Sequence, residues 1–109
     1  MNNKVLDILK EPPIFIPKIL FTNYKKLNIT EEELVILIYI LNLGNKIVYD
    51  LQIFTKDLNV DKYKAMQLLT NLSDKNFINI KVEKNEKGLS EEYIYTDNLY
   101  NKLFSLILE

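Results

Sequence analysis

The chain has 109 residues, 48% of them hydrophobic, enough for one compact core, and a formal charge of −1. All 14 basic residues are lysines, and histidine and cysteine are absent. That excludes His/Cys zinc sites, cysteine nucleophiles, disulfides and imidazole acid–base chemistry, and it denies a DNA reader arginine's bidentate grip on guanine.

Lys4 to Lys10 is expected to form a short amphipathic helix with Val5, Leu6 and Leu9 on one side, and Asp7 interrupts it too early for a signal peptide. Pro12 and Pro13 stop that helix. Ile14-Phe15-Ile16 is a brief β-prone run, after which Pro17 suits the first turn of a helix over Lys18 to Leu27. Thr30 followed by Glu33 is the capping-box pattern, and Glu31, Glu32 and Glu33 suit the positive end of a helix dipole. From Leu34 to Leu41 the helix is apolar nearly all round, so it is expected to be buried on more than one side. That run is too short to span a bilayer, and the chain reads as cytoplasmic. Gly44 supplies the stop.

Ile47-Val48-Tyr49 reads as a short strand and Leu51 to Leu58 as a helix with Leu51, Phe54 and Leu58 inward. Asn59-Val60-Asp61 is a compact turn, and Asp61 can cap the next helix, which runs to Lys75 with Ala65, Leu68, Leu69 and Leu72 at helical spacing. Two helices joined by such a turn match the helix-turn-helix pattern. A strand from Phe77 to Lys84, a turn over Asn85-Glu86-Lys87-Gly88 and a strand from Glu91 to Thr96 then form a wing. Asp97 is expected to cap a last helix, residues 97–109, with Leu99, Leu103, Phe104, Leu106 and Ile107 on its apolar face. The fold class expected is mainly α with a small β-hairpin. It is a winged helix-turn-helix with an N-terminal extension and a C-terminal helix, forming a single domain over residues 1–109.

On the second helix of the pair, Lys62, Tyr63, Lys64, Gln67, Asn71 and Lys75 are expected to face outward. Lysines and amides can meet phosphates and adenine edges, so the candidate DNA contacts are Lys62, Lys64, Gln67 and Lys75, joined by Lys84 and Lys87 on the wing. Between Asp61 and Gly88 the six lysines (Lys62, Lys64, Lys75, Lys81, Lys84 and Lys87) face four acids (Asp61, Asp74, Glu83 and Glu86), a balance of only +2. A dedicated reader shows a clearer basic stripe. On the wing, Ile78, Ile80 and Val82 alternate with polar residues; they either seat the wing or leave Ile80 or Val82 open to a partner beside Glu92. Tyr49, Ile80 and Glu92 are taken as the candidate partner-docking set.

No metal or cofactor is expected. Successive helical residues point about 100° apart, so Glu31, Glu32 and Glu33 cannot converge on one ion. The seven tyrosines lack an activating base, and no enzyme is expected. A winged helix-turn-helix needs about residues 30–96, so both apolar flanks are additions. Residues 1–16 are read as an oligomerisation extension using Val5, Leu6, Leu9, Ile14, Phe15 and Ile16. Folding of the extension back onto its own chain is the competing reading.

Ile16-Pro17-Lys-Ile-Leu20, Tyr24-Lys-Lys-Leu27, Thr30-Glu-Glu-Glu-Leu34 with its aliphatic continuation, Lys75-Asn-Phe-Ile78, the Gly88 hairpin and Asn98-Leu-Tyr-Asn-Lys-Leu-Phe104 together resemble the DnaD N-terminal domain family. That family belongs to the primosome of low-G+C Gram-positive bacteria. The resemblance spans nearly the whole chain and rests on the order and spacing of motifs that are each only moderately specific. It departs at Lys46 to Leu51, where the loop is shorter and lacks the family's prolines. The resemblance implies a winged helix whose N-terminal extension builds dimers and larger assemblies. It also implies a part in replication initiation, alongside the initiator and helicase-loading proteins, with weak or no sequence-specific DNA binding of its own. In the family a separate C-terminal domain carries much of the DNA and helicase binding, and the chain ends at Glu109 without one, as an excised domain or a short relative. The alternative expectation is a small winged-helix DNA-binding transcriptional regulator.

Overall fold

The computed structural model describes residues 2–109 and runs α1 (Asn3–Leu9), α2 (Lys18–Asn23), α3 (Glu31–Leu43), β1 (Lys46–Val48), α4 (Leu51–Leu58), α5 (Lys62–Asp74), β2 (Asn79–Lys84), β3 (Ser90–Tyr95) and α6 (Asp97–Ile107). Mainly helical, it carries one small antiparallel sheet. The capping box is present at the start of α3: the Glu33 N–H donates to Thr30 Oγ1 at 3.2 Å and the Thr30 N–H donates to Glu33 Oε1 at 2.8 Å. Asp50 and Asp61 cap α4 and α5 through their carboxylates, and Gly44 closes α3 at φ +142°.

Only two glycines are present, and asparagine takes over much of their conformational work. Asn28, Asn59 and Asn76 all sit at positive φ, the left-handed region that asparagine tolerates better than other side chains. At Asn76 the Phe77 N–H donates to the Leu72 carbonyl and the Asn76 N–H to that of Ser73, the paired closure of a Schellman motif. The same pair recurs at Asn28, from Ile29 to Tyr24 and from Asn28 to Lys25. α2 ends at Asn23, and hydrogen-bonded turns carry the chain on from there to this closure. Asn59 lets the chain leave α4 and enter α5 within three residues.

The sheet has three strands, not the two of the expected hairpin, in the order β1-β3-β2. β1 pairs with β3 in the register Lys46↔Tyr95, Ile47↔Ile94, Val48↔Tyr93, and β2 pairs with its other edge through Ile80↔Ile94 and Val82↔Glu92. Ile14-Phe15-Ile16 has no regular secondary structure and joins no strand among the described residues. Asp97 is the first residue of α6, not its cap; Thr96 stands at that position.

The core gathers Ile36, Leu37 and Ile40 of α3, Phe54 of α4, Leu69 and Leu72 of α5, Ile94 of β3 and Leu99 of α6. α5 packs on both α3 and α4. Every main element of residues 18–107 therefore contributes to one cluster, and α1 contributes nothing to it.

Candidate interaction surfaces

The first surface is the N-terminal extension. Asn2 caps α1 by accepting from the Val5 N–H at 2.9 Å, yet α1 buries no side chain. Val5 is 45% exposed and Leu9 68%, while Leu6 is half-buried. Ile8 belongs with them at 62% exposed and was not among the expected residues, although its spacing of three from Val5 places it on that face. Ile14, Phe15 and Ile16 are also exposed. Ile14 and Ile16 line a hollow of about 280 Å³ whose other walls are Val35, Ile38, Tyr39 and Leu58, almost wholly apolar. Tyr39 is held there by donating its hydroxyl to Asp57 and by edge-to-face packing on Phe54. So most of the apolar side chains of residues 5–16 are left unburied by their own chain.

The second surface is built where β1 meets the hairpin. The Tyr49 N–H donates to the Glu92 carbonyl at 2.9 Å, which carries the β1–β3 pairing one residue further. Burial, and then the charge of Glu92, push the Tyr49 phenol above its ordinary value. Tyr49 borders a groove of about 430 Å³ with Asp50, Leu51, Gln52, Thr55 and Lys62. Glu92 is exposed and makes no ion pair among the described residues. Ile80 and Val82 share the Ile94 and Glu92 face of the hairpin but not its burial. Ile80 packs against the core, whereas Val82 is 66% exposed. Ile80 therefore seats the hairpin, and Val82 is the apolar side chain left open beside Glu92.

The third surface is the outward side of α5 with the hairpin lysines. Lys62, Gln67, Lys84 and Lys87 are exposed. Lys64 pairs with Glu32 at 3.4 Å. Lys75 is not an outward contact. Its Nζ donates to Glu33 Oε1 at 2.8 Å, Glu33 Oε2 at 3.2 Å and the Asn28 carbonyl at 2.7 Å, tying the end of α5 to the start of α3. The Glu33 side chain is only 1% exposed, so the ammonium answers a carboxylate withdrawn from water. Sequence spacing alone put Lys75 outside because its tie to Glu33 crosses 42 residues. Lys46 and Lys81, on the other face of the sheet, are engaged as well. Lys46 lies 4.4 Å from the Tyr93 ring centre and 3.1 Å from Glu83 Oε1, and Lys81 lies 5.0 Å from the Tyr95 ring centre. Tyr95 donates its hydroxyl to Glu83, and that bond, with Lys46, holds the Glu83 carboxyl below its ordinary value. Tyr63 and Met66 stand exposed among the polar residues of α5.

The apolar face expected for the last helix is split. Leu99 and Leu103 enter the core, whereas Tyr100, Phe104, Ile107 and Leu108 are exposed. Among the described residues no helix is long and apolar enough to cross a membrane.

A family model described as the DnaD N-terminal domain matches residues 16–109. The fold is similar to that of the crystal structure of the N-terminal domain of the DnaD protein from Geobacillus kaustophilus HTA426. That likeness has a TM-score of 0.72 at 22% identity and covers 99% of this chain and 91% of that one. No curated protein matches the chain.

Proposed function

The chain belongs to the DnaD N-terminal domain family, and from that premise we propose that it is a DNA-replication initiation module, cytoplasmic and non-enzymatic, that works by self-association and by contacts with other primosomal proteins. The observation that carries this reading is the extension. It presents Val5, Leu9, Ile14, Phe15 and Ile16 to solvent, with Leu6 half-buried beside them, while the core is complete without it. Exposed apolar side chains concentrated in so short a segment are an interface waiting for its other half. A second copy of the same chain offers the matching surface, and a two-fold pairing uses each patch twice.

In the same reading α4, its turn and α5 form a helix-turn-helix, with β2 and β3 as the wing. The initiator or another primosomal partner meets the Tyr49, Val82 and Glu92 edge, with Ile80 holding the hairpin in place. Duplex DNA is gripped weakly at most. Of the expected contacts, Lys75 is occupied by Glu33 and Lys64 is partly answered by Glu32, which leaves Lys62, Gln67, Lys84 and Lys87. Three lysines on a chain of charge −1 release few counterions from a duplex.

Phe15→Asp tests the self-association directly. Phe15 is 51% exposed, so the change costs the isolated chain little. Light scattering coupled to size exclusion is expected to show a smaller species than wild type, with the helical circular dichroism unchanged. Equal masses for the two proteins would remove the assembly role assigned to the extension.

A further inference from the structure

Asn42 stands in the last turn of α3, a polar interruption in a helix that is otherwise apolar from Leu34 to Leu43 apart from Tyr39. Its side-chain amide makes three hydrogen bonds. Oδ1 accepts from the Phe15 N–H at 3.0 Å, and Nδ2 donates to the Phe15 carbonyl at 3.0 Å and to the Ile38 carbonyl at 2.8 Å. The first two repeat the pair of bonds that one residue exchanges with its opposite number on an antiparallel strand. An amide 27 positions away thus takes the place of the missing strand neighbour. No other hydrogen bond among the described residues ties residues 11–16 to the body of the fold.

We infer that Asn42 is the positioning residue for self-association: its amide sets the backbone at Phe15 so that the extension is presented in one arrangement. This inference rests on the self-association reading above and names the group on which it depends. Ile14 and Ile16 line one hollow and Phe15 does not, the alternation of side chains that a strand shows. With the backbone pinned at Phe15, Ile14 and Ile16 both turn toward Val35, Ile38, Tyr39 and Leu58 and shape the apolar hollow. Phe15 is left standing half out of the surface on the other side. Unpinned, residues 11–16 have only apolar contacts to order them. The backbone freedom that Asn42 removes in advance must then be removed during association. Pre-organisation of this kind strengthens binding without adding a contact between the copies.

The test is a sedimentation-velocity concentration series on the wild-type chain, Asn42→Ala, Asn42→Asp and Phe15→Asp, with hydrogen exchange followed at the Phe15 amide. Asn42 is exposed, and its removal leaves the buried cluster intact. Alanine removes both bonds to Phe15; aspartate keeps the acceptor for its N–H and loses the donor to its carbonyl. Asn42→Ala is expected to raise the dissociation constant about tenfold, with Asn42→Asp between it and wild type. The Phe15 amide should exchange faster in Asn42→Ala at protein concentrations where every variant is monomeric. A raised dissociation constant at an unchanged melting temperature is the readout that a merely structural role would not move. Association of both Asn42 variants at the wild-type constant, while Phe15→Asp dissociates, overturns the inference and leaves the self-association reading standing. A wild-type chain that stays monomeric throughout overturns both.

Discussion

Replacing Lys75 with methionine keeps the aliphatic stem and deletes the charge that faces Glu33. Removing one partner of a fully buried ion pair costs about 3–5 kcal/mol, because the other charge is left unanswered. Here the Lys75 side chain is 34% exposed and water screens part of the interaction, while Glu33 still receives the Thr30 N–H. The expected loss is therefore about 2 kcal/mol. For 109 residues at about 2.1 cal/mol/K each, that loss lowers the melting temperature by about 9 °C. The pH dependence carries a second signature. Burial alone would push the Glu33 carboxyl up, but the hydrogen bond and charge of Lys75, with the N–H of Thr30, outweigh it and hold the group below its ordinary value. A carboxyl depressed in the folded state contributes stability above its unfolded value, about 4.3, and loses that contribution as pH falls through the folded one. Wild type should therefore lose stability on acidification below about pH 4.3, and Lys75→Met should start lower and fall less steeply. Thermal melts from pH 3 to pH 7 measure both effects. A melting temperature within about 3 °C of wild type at pH 7, or an acid limb of the same slope, refutes the assignment of Lys75 to the fold. Gel-shift affinity for duplex DNA should be the same in both proteins.

Gly44→Ala should cost about 1–2 kcal/mol in urea unfolding. The added methyl would meet nothing closer than 3.9 Å, so the penalty lies in the φ of +142° and not in crowding. A loss under about 0.5 kcal/mol would show that the end of α3 relaxes at no cost. Ile80→Ala should lower stability by about 1 kcal/mol, in proportion to its partial burial, whereas Val82→Ala should leave stability within about 0.5 kcal/mol of wild type and weaken capture of the initiator. If Val82→Ala captures the initiator as well as wild type does, the contact lies away from that edge.

Local chemistry was legible at several places where one residue's partner lies within a few positions, though not at Asp97, which was expected to cap the last helix and does not. The capping box of Thr30 and Glu33, the Asp61 side-chain bonds to the first turn of α5, and the reversal at Gly88 are of the legible kind. The helical spacing of Ala65, Leu68, Leu69 and Leu72 also predicts their burial correctly. The β-prone run Ile14-Phe15-Ile16 was misleading, because strand propensity is satisfied only when a neighbouring strand is within reach. Asn42, the residue that answers it instead, gives one weak signal: an amide near the end of an apolar helix.

The amino-acid sequence alone determined that imidazole and thiol chemistry are absent, where the main helices and the hairpin begin, and which side chains are greasy enough to need cover. Which of those side chains received cover was decided only by tertiary structure. The deciding pairs, Lys46 with Tyr95, Lys75 with Glu33 and Asn42 with Phe15, stand 49, 42 and 27 residues apart. Period and propensity describe one element at a time. They cannot say that a lysine on one helix will be drawn inward by a carboxylate on another, or that an amide will hold a strand that has no sheet.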